Sequence, residues 1–73
     1  MFDRITADPN ICHGQASVKG TRIPVFVVLD ALAAGMTNEQ IIADYPPLAK
    51  KDIQACILYA SLIAREEEIP LGV

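Results

Sequence analysis

The first 23 residues of the chain lack the helical spacing of apolar residues that marks the rest of it. Polar and apolar positions are mixed here, and turn-forming residues interrupt the segment at positions 8–10 and 13–14. Two short runs, Phe2–Thr6 and Ala16–Val18, are bounded by these turn residues in the way short strands are. The pattern predicts a strand-and-loop segment over residues 1–23.

The next stretch predicts a first helix over Pro24–Ala34. Pro24 suits the first helical position, where a missing N–H costs nothing, and Gly35 suits the position just past the end. Asp30 is the only charged residue of this helix, and its apolar residues lie on more than one side. Such a helix has too little polar surface to face water, so it is expected to be buried on more than one side.

A second, short helix is predicted to begin after Thr37. Thr37 and Gln40 have the spacing of a capping box, and Met36 can pack onto Ile41 as a hydrophobic staple. The two prolines at positions 46–47 end the helix. Its inward residues are expected to be Ile41, Ile42 and Tyr45.

A third helix is predicted from about Lys50 to about Glu67. Two apolar strips follow it at helical spacing. The first strip contains Ile53, Ile57, Ala60 and Ala64, and the second contains Leu58, Tyr59 and Leu62. Cys56 is interpreted as a small core residue. Two apolar strips in so short a chain point to a dimer.

The elements together predict a mainly α fold. Short N-terminal strands precede a three-helix bundle that is helix-turn-helix-like, or winged-helix-like, in outline. The 73 residues form one domain, 1–73, divided into the N-terminal segment 1–23, the bundle 24–68 and a loose tail 69–73. A core this small supplies only about 3–5 kcal/mol of net stability. With a hydrophobic share of 52%, a homodimer is the expected way of covering the surplus apolar surface.

Composition narrows the classes of function. The net charge of −3 argues against strong non-specific affinity for nucleic acid, which depends on neutralising phosphates. No apolar run approaches the roughly 20 residues of a spanning helix. With two cysteines and no signal peptide, the protein is expected to be soluble and cytoplasmic, with no membrane partner, disulfide, metal or cofactor.

The stretch VKGTRIPV, residues 18–25, is the first candidate site. It has one glycine, and the lysine precedes that glycine, so it does not match a phosphate-binding loop. A junction between strand and helix explains it better, with Gly20 supplying the turn. Lys19 and Arg22 are nevertheless candidate contacts to a partner or to DNA. Arg22 could instead pin the strand to the helices by pairing with a carboxylate such as Asp30, Glu39 or Asp44.

Lys50 and Lys51 form the second candidate site, at the start of the third helix. Ala49 takes the cap position there, although alanine is a poor cap, and cations are unfavourable at this end of a helix dipole. A positively charged, poorly capped helix start could meet a DNA phosphate or a partner's carboxylate. Alternatively, the two lysines are merely solvated and partly offset by Asp52.

Catalytic chemistry has little support in the sequence. Cys12 and His13 are adjacent and could form a nucleophile–base pair. Catalysis would also need an orienting group and an oxyanion site, which nothing in the sequence marks. The protein is therefore expected not to be an enzyme.

Several motifs, taken in order, resemble a small prokaryotic family, domain of unknown function 433. They are RIT at 4–6, DP at 8–9, KGTRIPV at 19–25, LAAGMTNEQIIADYP at 32–46, and Asp52-Ile53 and Ala60 in the last helix. The sequence departs from the family pattern at residues 12–16, where a paired glycine and a proline are usual, and at Ala49, where threonine or serine is usual.

The resemblance implies a function that the residues alone do not. Members of this family are similar to helix-turn-helix domains and are commonly regarded as antitoxins, encoded beside a toxin with a PIN-like nuclease fold. The first hypothesis is accordingly a non-enzymatic antitoxin that blocks such a nuclease and represses its own operon through weak operator binding. The second is a helix-turn-helix transcriptional regulator whose third helix enters the major groove.

Overall fold

The computed structural model describes residues 3–10 and 14–66. Two strands, β1 (Ile5–Thr6) and β2 (Ser17–Val18), precede three helices, α1 (Val25–Ala33), α2 (Asn38–Asp44) and α3 (Lys50–Glu66). The predicted mainly α fold with short N-terminal strands is confirmed. The predictions for Phe2, for the Cys12-His13 pair and for the tail 69–73 lie outside the described residues.

The segment 16–18 lies between two other extended segments. β2 pairs antiparallel with β1 in the register Ile5 to Val18 and Thr6 to Ser17. On its other side Ser17 forms an antiparallel bridge with Pro24. The N–H of Val25 also donates to the carbonyl of residue 16 at 2.9 Å. The N-terminal segment is therefore attached directly to the start of α1.

A tight turn connects β2 to α1. The Thr21 N–H donates to the Val18 carbonyl at 3.0 Å, and Gly20 has φ +82°, the conformation that a type II turn requires at its third position. The Thr21 hydroxyl donates to the same carbonyl at 2.7 Å and accepts from the Ile23 N–H at 3.0 Å. The interpretation of residues 18–25 as a strand-to-helix junction is confirmed.

Helix α1 begins one residue later than predicted. Pro24 is the N-cap residue, with φ −65° and ψ 148°, because its pairing with Ser17 keeps it extended. At the other end Ala34 is the C-cap, and Gly35 has φ +90°, as its predicted place just past the helix requires. The N–H of Met36 then closes the helix end by donating to the carbonyl of residue 31 at 3.1 Å.

The predicted capping box begins α2. The Gln40 side chain accepts from the Thr37 N–H at 2.8 Å, and the Thr37 hydroxyl accepts from the Gln40 N–H at 3.2 Å. Two of the N–H groups that a helix start leaves without partners are satisfied in this way. Tyr45 is the C-cap, and the two prolines follow it.

The core lies where α1, α2 and α3 meet beneath β2. Its buried apolar residues are Val18, Val25, Val28, Ile41, Leu48, Ile53 and Cys56. Of the predicted inward residues of α2, Ile41 is fully buried, whereas Ile42 and Tyr45 are partly buried against this core.

The buried face of α3 does not follow either of the two apolar strips. Ile53 and Cys56 are fully buried, but Ile57 is 48% exposed and Ala64 is exposed. Ile57 follows Cys56 by about 100° around the helix, so the two cannot share a narrow buried face. Helix α3 is thus turned so that Ile57 lies towards solvent.

Ser17 is fully buried, and its hydroxyl has no hydrogen-bond partner among residues 3–10 and 14–66. Burying a hydroxyl without a partner costs about 1–3 kcal/mol. Ser17→Ala is therefore expected to leave stability unchanged or to raise it, because the backbone pairing with residues 6 and 24 does not need the hydroxyl. Urea unfolding would measure this, and a lower midpoint for Ser17→Ala would contradict the absence of a partner.

Candidate functional site

An ion pair joins the N-terminal segment to α3. The Arg4 Nη1 atom donates to Asp52 Oδ1 at 2.8 Å, and the two side chains are 44% and 10% exposed. The pair spans 48 positions of sequence. Arg4 precedes β1, so this contact holds the β1 end of the sheet against the first turn of α3.

The second oxygen of the same carboxylate caps α3. Asp52 Oδ2 accepts from the Ala49 N–H at 2.7 Å. An acidic residue in the first turn also interacts favourably with the helix dipole. Ala49 has no side-chain acceptor for the N–H groups of the first turn, as expected, and Asp52 instead supplies the return half of a capping box by accepting from the N–H of Ala49 itself. The Ala49 N–H is not available to an external anion.

The predicted contact residues come from two segments that this ion pair brings together. The Lys19 N–H donates to the Arg4 carbonyl at 2.7 Å, which places the turn beside Arg4. We define the basic end as the five cationic residues of the turn, the first turn of α3 and the linking arginine: Arg4, Lys19, Arg22, Lys50 and Lys51. It holds five of the six lysines and arginines of the chain.

The side chains of the basic end reach solvent. All five residues are exposed. Sequence reasoning found four of them but missed Arg4, whose only signal was its place in the RIT motif. The proposed carboxylate partners of Arg22, namely Asp30, Glu39 and Asp44, stay a prediction. What the geometry offers is a cationic surface next to α3.

Cys56 lies one turn after Asp52, on the buried side of α3. Burial is the main cause that raises the pKa of its thiol, and the nearby Asp52 carboxylate is the second. Together they raise this pKa to about 11. A thiol with such a pKa is protonated near neutral pH, and the thiolate is the reactive species. The interpretation of Cys56 as a core residue is confirmed. Within residues 3–10 and 14–66, no group of three or more potential metal ligands occurs.

The raised pKa of Cys56 predicts a loss of stability in base. The folded pKa of about 11 exceeds the ordinary value of 9.0, so the unfolded thiol loses its proton first as pH rises. The contribution of the Cys56 thiol to the free energy of unfolding is therefore complete below pH 9. It falls by about 2–3 kcal/mol between pH 9 and 11. Urea unfolding across this range, in a Cys12→Ser background, should show a steeper fall than in Cys56→Ala. Parallel curves for the two proteins would contradict the assignment.

Four large apolar side chains are exposed on the helices. They are Phe26 (50%) on α1 and Ile57 (48%), Leu58 (44%) and Ile63 (38%) on α3. Ile57 and Leu58 are adjacent, and contiguous exposed apolar surface on a small domain marks sites for protein partners. No helix among the described residues has both the length and the apolar character needed to cross a bilayer.

Comparison with known proteins places this chain among relatives without an assigned activity. A family model described as "Protein of unknown function (DUF433)" matches residues 5–60. A protein of Sinorhizobium fredii, "Uncharacterized protein y4eO", is 36% identical over 56 residues, which are 77% of this chain and 25% of that protein. The chain thus spans about a quarter of the length of this relative.

A solved structure has a similar fold. The crystal structure of a DUF433 member protein from Anabaena variabilis superposes with a TM-score of 0.78 at 30% identity. The similarity covers 86% of this chain and 62% of the crystallised one. The two-strand, three-helix arrangement is therefore shared with a second protein of the same description.

Proposed function

This chain belongs to the DUF433 family, and we propose that it is a non-enzymatic, antitoxin-like protein that binds and neutralises a nuclease toxin of PIN-like fold. The class of toxin comes from the family resemblance and not from the geometry. The observation that carries the binding role is the exposure of large apolar side chains on α3, led by Ile57 and Leu58. A domain with so small a core gains by covering such residues with a partner.

The one cysteine among the described residues is a core residue and not a nucleophile. Cys56 has no exposed surface, and its pKa of about 11 keeps the thiol protonated. Nucleophilic catalysis requires an accessible group activated by a neighbouring base. The proposal accordingly assigns the activity of the pair to the toxin and only its inhibition to this chain.

We assign the homodimer to the outer face of α1. Phe26 is half exposed there, and the exposed small residue Ala33, two turns further along the same face, leaves room for a second helix. Light scattering after size-exclusion chromatography should give a dimer mass at micromolar concentration for the natural sequence and a monomer mass for Phe26→Gln. A monomer mass for both proteins would overturn the dimer.

Co-expression tests the antitoxin role. The nuclease-like reading frame beside the gene would be expressed alone, with this protein, and with a control in which residues 3–66 are deleted. We expect growth arrest by the nuclease alone, relief by the complete protein and co-purification of the two chains. Continued arrest in the presence of soluble, folded protein would overturn the proposal.

The basic end favours DNA binding as a second candidate function. It comprises Arg4, Lys19, Arg22, Lys50 and Lys51. The exposed lysines Lys19, Lys50 and Lys51 can contact phosphates, which position a protein without reading sequence. The net charge of −3 opposes strong binding, so a mobility shift on its own promoter should need more than micromolar protein at physiological salt. Nanomolar, sequence-specific binding by the protein alone would favour a regulator over an antitoxin.

A further inference from the structure

One line of side chains runs along the outer side of α3. Lys51, Leu58 and Arg65 follow one another at intervals of seven residues, which is close to two helical turns. Gln54 and Ser61 lie between them at helical spacing. We call these five residues the outer stripe. All are exposed except Ser61, which is partly buried, and the stripe is about 21 Å long at 1.5 Å per residue.

The outer stripe has cations at both ends and an apolar centre. Leu58 is 44% exposed, and Ile57 beside it is 48% exposed. The nearest acid in the first turn, Asp52, is turned away, buried, and paired with Arg4. Both charged residues of the stripe are cations, although the chain as a whole is acidic and Glu66, Glu67 and Glu68 follow Arg65 in the sequence.

We propose that the outer stripe binds an acidic amphipathic helix of a partner protein. This inference rests on the proposed function, and its occupant would be a segment of the toxin. A helix laid along α3 can place an apolar residue against Leu58 and carboxylates about 14 residues apart against Lys51 and Arg65. Apolar contact at the centre supplies affinity, and the charges at the ends fix register and exclude basic segments.

A second copy of this chain is a poor occupant because the stripe is symmetric in charge. Lys51 and Arg65 each lie seven residues from Leu58. An antiparallel copy centred on Leu58 would set Lys51 against Arg65 of the other chain, and a parallel copy would set each cation against itself. Both arrangements juxtapose like charges of the stripe. Duplex DNA fits less well, since Leu58 would face phosphates and water.

Two synthetic helical peptides provide the probe. Both have 18 residues and the same central leucines, but one carries glutamate near each end and the other carries lysine at the same positions. We expect the acidic peptide to bind the natural sequence and to bind Leu58→Gln at least tenfold more weakly, as measured by fluorescence anisotropy. In the doubly reversed variant Lys51→Glu with Arg65→Glu, the preference should switch to the lysine peptide.

Phe26→Gln is the matched control, because it removes an exposed apolar side chain from α1 and leaves the outer stripe intact. It should bind the acidic peptide as the natural sequence does. Lys51→Gln, a milder change, guards against misfolding of the doubly reversed variant and should weaken the acidic peptide severalfold. Equal binding of both peptides, no binding of the acidic peptide, or a dimer dissociated by Leu58→Gln would overturn the proposal.

Inhibition of the nuclease separates this inference from the proposed function. If the natural sequence inhibits the nuclease and Leu58→Gln inhibits it at the same concentration, the stripe is not the docking surface and the antitoxin role stands. If the natural sequence does not inhibit the nuclease but still prefers the acidic peptide, the antitoxin role fails. The outer stripe would then remain a binding surface for acidic helices.

Discussion

Ile53→Ala is expected to unfold much of the protein at room temperature, whereas Ile57→Ala, one turn further along α3, leaves it folded. Ile53 has no exposed surface, and Ile57 is 48% exposed. Truncating a buried isoleucine to alanine costs about 2–5 kcal/mol, because apolar contacts are lost and a cavity remains. A domain of this size has only about 3–5 kcal/mol of net stability to lose. At Ile57 the loss should stay below about 1 kcal/mol, since about half of its surface is hydrated already.

Urea unfolding followed by circular dichroism would compare the two variants at matched protein concentration. The substitution, the helix and the helix propensity of the new residue are the same in both, so the difference reports burial alone. Ile53→Ala should lose most of its native baseline, and Ile57→Ala should shift the midpoint only slightly. Equal losses would place Ile57 in the core and contradict the orientation of α3. A dilution series would show whether a partner copy covers Ile57.

The rotation of α3 is the feature that the sequence left undecided. Apolar residues occur on nearly every side of this helix, so two different strips satisfy helical spacing. Ile53 belongs to both the predicted strip and the observed core, but Cys56 replaces Ile57 as its buried neighbour. The choice depends on what α3 packs against, namely α1, α2 and β1, and none of these contacts is local in sequence. Periodicity identified the helix but could not orient it.

Local chemistry predicted the shorter elements well. The capping box of Thr37 and Gln40 is contained in four residues, and the turn at Gly20 in another four. Each is fixed by backbone geometry that a sequence reader can recognise without the rest of the fold. Pro24 shows the limit of such reasoning. Proline is favourable at the first helical position, yet pairing with Ser17 keeps Pro24 extended and makes it the N-cap residue.

The arginine that attaches the N-terminal segment to a helix is also a non-local feature. Sequence reasoning considered Arg22 for this role because it adjoins α1. The structure gives an ion pair to Arg4 and Asp52, which are 48 positions apart. Asp52 was interpreted only as an offset to the neighbouring lysines. Its position three residues after a poor cap, Ala49, was the available signal, because an acid there can accept the cap N–H.

Asp52→Ala is expected to cost about 2–3 kcal/mol, because one side chain supplies two contacts. Its removal leaves the Ala49 N–H without its acceptor, a loss of about 1 kcal/mol for a typical cap. It also leaves Arg4 without its partner, and the 44% exposure of Arg4 keeps that part below the cost of a fully buried pair. Thermal and urea unfolding should both show a lower midpoint.

Asp52→Asn separates the two contributions, since its amide oxygen can still accept from the Ala49 N–H but carries no charge. Stability should fall in the order natural sequence, Asn, Ala. Added salt should narrow the gap between the first two, because it screens the pair with Arg4, and leave the gap between Asn and Ala unchanged. Combining Asp52→Asn with Arg4→Met gives the coupling energy of the pair. The same Asp52→Asn change should lower the pKa of Cys56, because the Asp52 carboxylate is the second cause of the raised value.

Equal stability of the Asn and Ala variants would contradict the capping role of Asp52. An unchanged pKa of Cys56 in Asp52→Asn would contradict the electrostatic effect of Asp52 on the thiol.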